Sequence, residues 1–334
     1  MKNKAYIRAI DYYLPQDILT NEQIANRFPE WSADKVANKV GITERHISQK
    51  NETASDLAYE AANKLFSNNK SYRDQIDFLI FCSQSVDYKL PSTSCILQNK
   101  LGLKTSCGAF DFNLGCSGYE YGLAIAKGLI SSGIASNVLF LTAETYTKYI
   151  HPEDKGNLTI FGDAATATII STEGIAEIGE FILGTDGSSY DSLIVKTGYS
   201  RHPNKTGKSI TYENGTTMWE DYLYMDGSAI FNFTADIVPI MIDNLLKKEN
   251  LTQKDINLWV FHQANKYMIN YLRKLMNIDK EKFYIYMEKV GNTVSSTIPI
   301  ALTEAIKQNK LHGNVLLAGF GVGLSWGATI IHCK

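Results

Sequence analysis

None of the five cysteines (Cys82, Cys95, Cys107, Cys116 and Cys333) stands in a CxxC pair. A zinc or iron–sulfur site therefore has no spacing support, and no metal is expected. The N-terminal MKNKAYIRAIDYYLP holds no apolar run of signal-peptide length. With an odd cysteine count, this predicts reduced thiols in a cytoplasmic chain. A basic excess is lacking too. The 33 Lys+Arg face 35 Asp+Glu, a net charge of -2, which argues against a broad nucleic-acid footprint. Charged residues are sparse at 20%, below the ~25% usual for soluble domains. With 44% apolar residues, that composition excludes global disorder and predicts a large buried core. One stretch, Leu311 to Cys333, has no Asp, Glu, Lys or Arg, but glycines and two histidines interrupt it. It is expected to form two buried strands around a glycine turn, not a membrane span.

At 334 residues the chain is long enough for about two domains. An internal repeat decides how they are built. Residues 76–82 read IDFLIFC and residues 256–262 read INLWVFH, each a short apolar run with a reactive residue at its end. Gly-Cys-Ser around Cys116 lies over Gly-Asn-Thr around Asn292, and an apolar helical pattern follows both. SNVLFL from Ser136 matches GNVLLA from Gly313, and ATATII from Ala165 matches GATII from Gly327. Four matches in one order predict a duplicated α/β chain, with halves 1–172 and 173–334. DLAYEAANKLF, Asp56 to Phe66, predicts an amphipathic helix. Gln98 to Leu103 and Tyr271 to Ile278 read as the end of one helix in each half. The polar, Gly/Tyr-rich residues 197–222 read as an inserted loop region.

Pseudo-symmetry brings like ends of the two halves together, so Cys116, His262 and Asn292 can meet at one centre. Cys116 precedes a helical pattern, where free N–H groups and the helix dipole favour a thiolate. A buried cysteine is the plain alternative. His262 ends a core strand, in FHQAN, and can carry a proton near that sulfur; a packed core histidine is its alternative. Asn292, in VGNTVSS, is either a turn residue or an amide donor for an oxyanion. The segment AGFGVGLSWGA, Ala318 to Ala328, lacks both dinucleotide spacing and a P-loop Lys. Its expected use is close backbone approach to a substrate.

LGCSG, HQAN, VGNT and GFGVGLSWGA resemble β-ketoacyl-ACP synthase III, a thiolase-fold condensing enzyme. VGITERHI (Val40 to Ile47), LPSTSC (Leu90 to Cys95) and IFGDAAT (Ile160 to Thr166) also match, over about residues 5 to 332. The resemblance implies a five-layered αβαβα fold and a homodimer. It implies no resident cofactor, with acyl-CoA and malonyl-acyl carrier protein as substrates. Cys116 would carry the acyl group as a thioester. His262 and Asn292 would hold the malonyl thioester carbonyl through decarboxylation. The amides of Cys116 and Val322 would form the acyl oxyanion hole. Trp31, Lys155, Gly156, Asn265 and Phe161 would contact CoA or substrate, and Leu90 would reach the partner's acyl pocket. Lys266, Arg273 and Lys274, with Lys247 and Lys248, offer positive charge to an acidic carrier. An acyltransferase or a condensing enzyme of a specialised pathway is the alternative. A papain-like Cys-His-Asn hydrolase is disfavoured, because that fold leaves the duplication unexplained.

Overall fold

In this computed structural model, residues 3–213, 215 and 217–334 are described. Positions 214 and 216 of the expected 197–222 loop lie outside them. Nine strands carry the frame: β1 Tyr6–Tyr13, β2 Phe78–Cys82, β3 Gly108–Phe112, β4 Asn137–Glu144, β5 Ala164–Ser171, β6 Ala176–Thr185, β7 Ile256–Phe261, β8 Gly313–Gly321 and β9 Ser325–Cys333. Their order is β7-β8-β9-β6-β1-β5-β4-β2-β3. The two sides of this row repeat each other. In the first, β2 pairs parallel with β3 and β4, and the pairs β4–β5 and β5–β1 are antiparallel. In the second, β7 pairs parallel with β8, and the pairs β8–β9 and β9–β6 are antiparallel. A parallel bridge between Trp259 and Phe283 stands where β3 stands in the first half. The halves join where Tyr6 and Ile7 of β1 pair with Glu177 and Ala176 of β6. The division at 172/173 falls in the turn between β5 and β6.

Five helices cover and separate the half-sheets: α1 Ala54–Asn68, α2 Gly118–Ser131, α3 Gly227–Glu249, α4 Lys266–Leu275 and α5 Thr297–Lys307. Side chains alternate across a strand, so each half-sheet has two apolar faces to bury. Leu79 and Phe81 of β2 pack outward with Leu57, Ala61 and Leu65 of α1. Ile80 of β2 and Leu258 and Val260 of β7 turn inward onto Leu123 and Ala126 of α2 and Ala301 and Leu302 of α5. Trp259 and Phe261 of β7 pack outward with Met241 and Leu245 of α3 and Ile269 and Leu272 of α4. The order is helix, sheet, helix pair, sheet, helix: the five-layered, duplicated thiolase-like α/β fold.

Local chemistry sets the helix boundaries. Thr53 and Asp56 form a capping box that starts α1, two residues before the expected Asp56. The expected helix ends at 98–103 and 271–278 run past the observed ones, because Thr93–Lys100 and Lys266–Leu275 stop and the chain turns. Leu311 to Cys333 forms the antiparallel pair β8–β9 as expected. The region 197–222 is not simply a loop. Within it Ser209–Thr211 pairs with Thr217–Trp219, and at its two ends Leu193–Val195 pairs with Leu223–Met225. Among the described residues, α3 has the length and apolar composition of a membrane-crossing helix. Here it is an outer layer, packed against β6, β8 and β9.

Candidate active site

Several distant chain segments build one cavity of about 150 Å3, lined by Cys116, Phe161, His262, Asn265, Asn292 and Gly321 among others. Cys116 enters from just before α2. Ser117, the N-cap, has φ -94 and ψ 0, and its hydroxyl lies 2.7 Å from that of Ser325. A Cβ on Gly321 would fall 2.8 Å from both Cβ and Sγ of Cys116, so only glycine lets β8 approach this closely. The N–H groups of Val322 and of Cys116 itself act on the sulfur and favour its anion. Burial outweighs them and pushes the thiol up to about 12. This corrects the thiolate expected from the helix start: that argument counted the dipole and not the desolvation of a sulfur 7% exposed. At neutral pH the resting group is a thiol.

His262 follows β7 and is held at both ends. Its N–H donates to the Ala318 carbonyl at 2.8 Å, and its Nδ1 lies 2.7 Å from Thr297 Oγ1. Burial pushes the imidazole down to about 3, so the ring is neutral. The Val294 carbonyl already accepts the Thr297 N–H. The Thr297 hydroxyl also lies 3.1 Å from that carbonyl; when it gives its proton to Nδ1 instead, Nε2–H is left as a donor.

Asn292 is fixed through its backbone and its side chain. Its N–H donates to the Ile160 carbonyl at 2.9 Å, and its carbonyl accepts from Gly162 N–H at 3.0 Å. Gly291 before it has φ +74, and a Cβ there would press on the Ile160 carbonyl at 2.9 Å. Asn292 Oδ1 accepts the Val294 N–H at 2.9 Å, which leaves Nδ2 as the free donor end. Val294 adopts φ 57, a left-handed backbone that a β-branched residue rarely takes. The strain is local to the site and serves that hydrogen bond.

Profiles of the 3-oxoacyl-[acyl-carrier-protein (ACP)] synthase III family match residues 110–187, and those of its C-terminal part match residues 246–333. A β-ketoacyl-[acyl-carrier-protein] synthase III of Clostridium perfringens is 38% identical over 99% of each chain. The chain belongs to the β-ketoacyl-ACP synthase III family. A solved 3-oxoacyl-(acyl-carrier-protein) synthase III superposes with a TM-score of 0.95 at 45% identity, covering 98% of this chain and 99% of that one. A 3-oxoacyl-(acyl-carrier protein) synthase from Burkholderia xenovorans superposes at 0.90 with 32% identity, covering 100% and 95%.

The remaining residues singled out in the sequence of this synthase III relative are spread over several places. Phe161 and Asn265 are in the cavity wall, and Asn265 also caps α4 by accepting the Met268 N–H at 2.9 Å. Trp31 and Lys155 lie close together outside it: Lys155 pairs with Glu30, and Lys39 Nζ stands 6.0 Å over the Trp31 ring. Gly156 is exposed in the short helix Lys155–Leu158. Leu90 is 83% exposed and lines no cavity described in its own chain. Lys266 and Lys274 share a surface cleft with Lys39, Tyr267 and Tyr271. Arg273 is turned away, its Nη1 donating to the Ile278 carbonyl at 3.0 Å. Lys248 is engaged by Glu180 at 3.2 Å.

Sequence reasoning missed Thr297, whose only local signal is its place before the Ile-Pro at the start of α5. It also missed Glu120, a fully buried acid in α2 whose carboxyl fits a slot beside the paired glycines Gly319 and Gly327. Burial pushes that carboxyl well above the usual range.

Proposed function

We propose that the chain catalyses decarboxylative Claisen condensation of an acyl-CoA primer with malonyl-acyl carrier protein, through an acyl-Cys116 intermediate. The observation that carries this reading is the meeting of Cys116, His262 and Asn292 in one cavity. In the first half-reaction Cys116 Sγ attacks the acyl-CoA carbonyl and gives up its proton. The carbon–sulfur bond to CoA breaks, and CoA leaves as its thiol. The N–H groups of Cys116 and Val322 receive the carbonyl oxygen as it gains charge. In the second, Nε2–H of His262 and Nδ2–H of Asn292 hold the malonyl thioester carbonyl. Loss of CO2 leaves an enolate there. Its carbon attacks the acyl-Cys116 carbonyl, the β-ketoacyl carrier leaves, and the Cys116 thiolate takes up one proton. A neutral imidazole suits this role, because it donates without placing a fixed positive charge in a buried site.

Trp31, Lys155 and Gly156 are assigned here to CoA. The cleft of Lys39, Lys266 and Lys274, which begins one residue after Asn265, is assigned to the acidic carrier. The reading also implies a cytoplasmic homodimer, with Leu90 reaching the partner's acyl pocket. Intact-protein mass spectrometry tests the reading. Wild type should gain an acyl mass from an acyl-CoA and lose it, with CO2 release, when malonyl carrier is added. Cys116→Ala should gain none. An adduct that persists in the presence of malonyl carrier would overturn condensation in favour of plain acyl transfer.

A further inference from the structure

Val322 stands against the loop that carries Cys116. A Cβ on Gly115 would fall 2.5 Å from Val322 Cγ1, and one on Gly321 would fall 2.8 Å from Cys116 Sγ. Glycine flanks Val322 on both sides, at Gly321 and Gly323. Glycine restricts the backbone least of all residues, so such a turn does not aim an N–H by itself. Its direction has to come from bonds made to the turn. On one side the sheet supplies them, because Gly321 of β8 pairs with Ser325 of β9 at the end of their ladder. Leu324 is held from outside, exchanging hydrogen bonds with the Asp186 backbone at 2.8 and 2.9 Å. The Ser325 hydroxyl then reaches back and donates to the Val322 carbonyl at 2.8 Å. Val322 is thus fixed before its N–H by the ladder and after it by a side chain.

The protons of this group can be placed. A carbonyl only accepts, so the single Ser325 hydroxyl proton goes to Val322. The Ser117 hydroxyl, 2.7 Å from that of Ser325, is then the donor to it. Ser117 is the N-cap of α2, where a serine hydroxyl ordinarily accepts an N–H from the first turn. It makes no such bond here. Both serines are buried, so neither hydroxyl turns to solvent. Two hydrogen bonds in series therefore join the residue after Cys116 to the carbonyl of Val322. They tie together the two segments whose amides, those of Cys116 and Val322, are assigned above to one acyl carbonyl oxygen. Two donors stabilise an oxyanion only when both lie within hydrogen-bond reach of the same point. His262 and Asn292 are held by other groups, the Thr297 hydroxyl and the Val294 N–H.

We infer that Ser117 and Ser325 are a positioning pair for the acylation of Cys116, holding the two oxyanion donors on one point. The inference rests on the condensing reading, which makes those two amides the acyl oxyanion hole. Two assays test it together: single-turnover acylation by an acyl-CoA, read by mass spectrometry, and CO2 release from malonyl carrier without an acyl donor. Ser325→Ala should lower the maximal acylation rate about tenfold, short of the roughly 10²–10³-fold lost with a whole donor. The half-saturating acyl-CoA concentration should not change. CO2 release, which draws on other donors, should stay within about twofold of wild type. Ser325→Thr keeps the hydroxyl and should restore acylation. Ser117→Ala should act in the same direction, and adding it to Ser325→Ala should cost nothing further, because the series is already cut. An unchanged acylation rate in Ser325→Ala would overturn the inference. Equal loss of acylation and CO2 release would also overturn it, as the result of a merely structural role. So would a rise in half-saturation alone, no rescue by threonine, or fully additive losses in the double variant. Failure of the underlying reading looks different, because it shows in wild type. No acyl mass on Cys116 from any acyl-CoA brings down both. An acyl group that persists in the presence of malonyl carrier ends condensation alone, and the acylation comparison still decides the pair.

Discussion

The two halves of the molecule hold four counterpart positions, and they have been put to unlike uses. Cys82 ends β2 and His262 follows β7, while Cys116 precedes α2 and Asn292 precedes α5. Three of the four line the reaction cavity. The fourth, Cys82, is withdrawn: its Sγ contacts the Leu114 carbonyl at 3.2 Å, and burial pushes its thiol well up. Burial alone does not separate the two cysteines, since the Cys116 thiol is also raised. What separates them is place. Cys116 lines the cavity beside His262 and Asn292, whereas Cys82 lies outside its lining with its Sγ on the Leu114 carbonyl. A duplicated scaffold supplies equivalent places for side chains. The groups aimed at each place decide whether chemistry occurs there.

Substitutions at the counterparts can break this contrast. The largest effect is expected at the helix starts. Asn292→Ala should lower malonyl decarboxylation and condensation by about 10²–10³-fold, the usual loss for one oxyanion donor, while Cys116 still takes up its acyl group. Separate assays of acyl transfer and CO2 release check this. Equal loss of both would show that the two halves do not divide the labour.

A smaller effect is expected at the strand ends. Thr297→Val keeps the side-chain shape but removes the hydroxyl that lies 2.7 Å from His262 Nδ1. The condensation kcat should fall about tenfold, the kinetic equivalent of one hydrogen bond, with KM for malonyl carrier little changed. Thr297→Ser should restore kcat. No rescue by serine would mean that the methyl group, and so packing, is what His262 needs.

The smallest effect is expected at the withdrawn counterpart. Cys82→Ala should leave adduct formation and condensation within about twofold of wild type, and lower stability by about 1 kcal/mol, as a small buried truncation does. Acylation kinetics with a urea titration would read both. Loss of the acyl adduct in this variant would place Cys82 in the chemistry and end the contrast.

Much of this arrangement was legible before any coordinates. IDFLIFC and INLWVFH form equivalent strands, and the segments after Cys116 and Asn292 form the two central helices. These signals are local. A strand that alternates Leu79, Ile80 and Phe81 between two buried faces must be uniformly apolar, and that shows in the five consecutive letters FLIFC. The region 197–222 was only half legible. Its strands are three residues each and pair outside the main sheet, too short for an alternating pattern to stand out.

By itself, the sequence determined the duplicated layering and the three side chains that meet at its centre, because duplication writes the same short-range pattern twice in the same order. It also carried the family resemblance, through motifs that are each only a few residues long. Tertiary structure alone decided how those side chains are armed. Thr297 meets His262 from another chain segment, and Val294 takes a left-handed backbone to turn the Asn292 amide. The Cys116 thiol is raised where its helix-start position alone pointed to a lowered one. Hydrogen-bond direction and desolvation depend on every group that surrounds a site. Those groups come from distant parts of the chain, so no local stretch of sequence contains them.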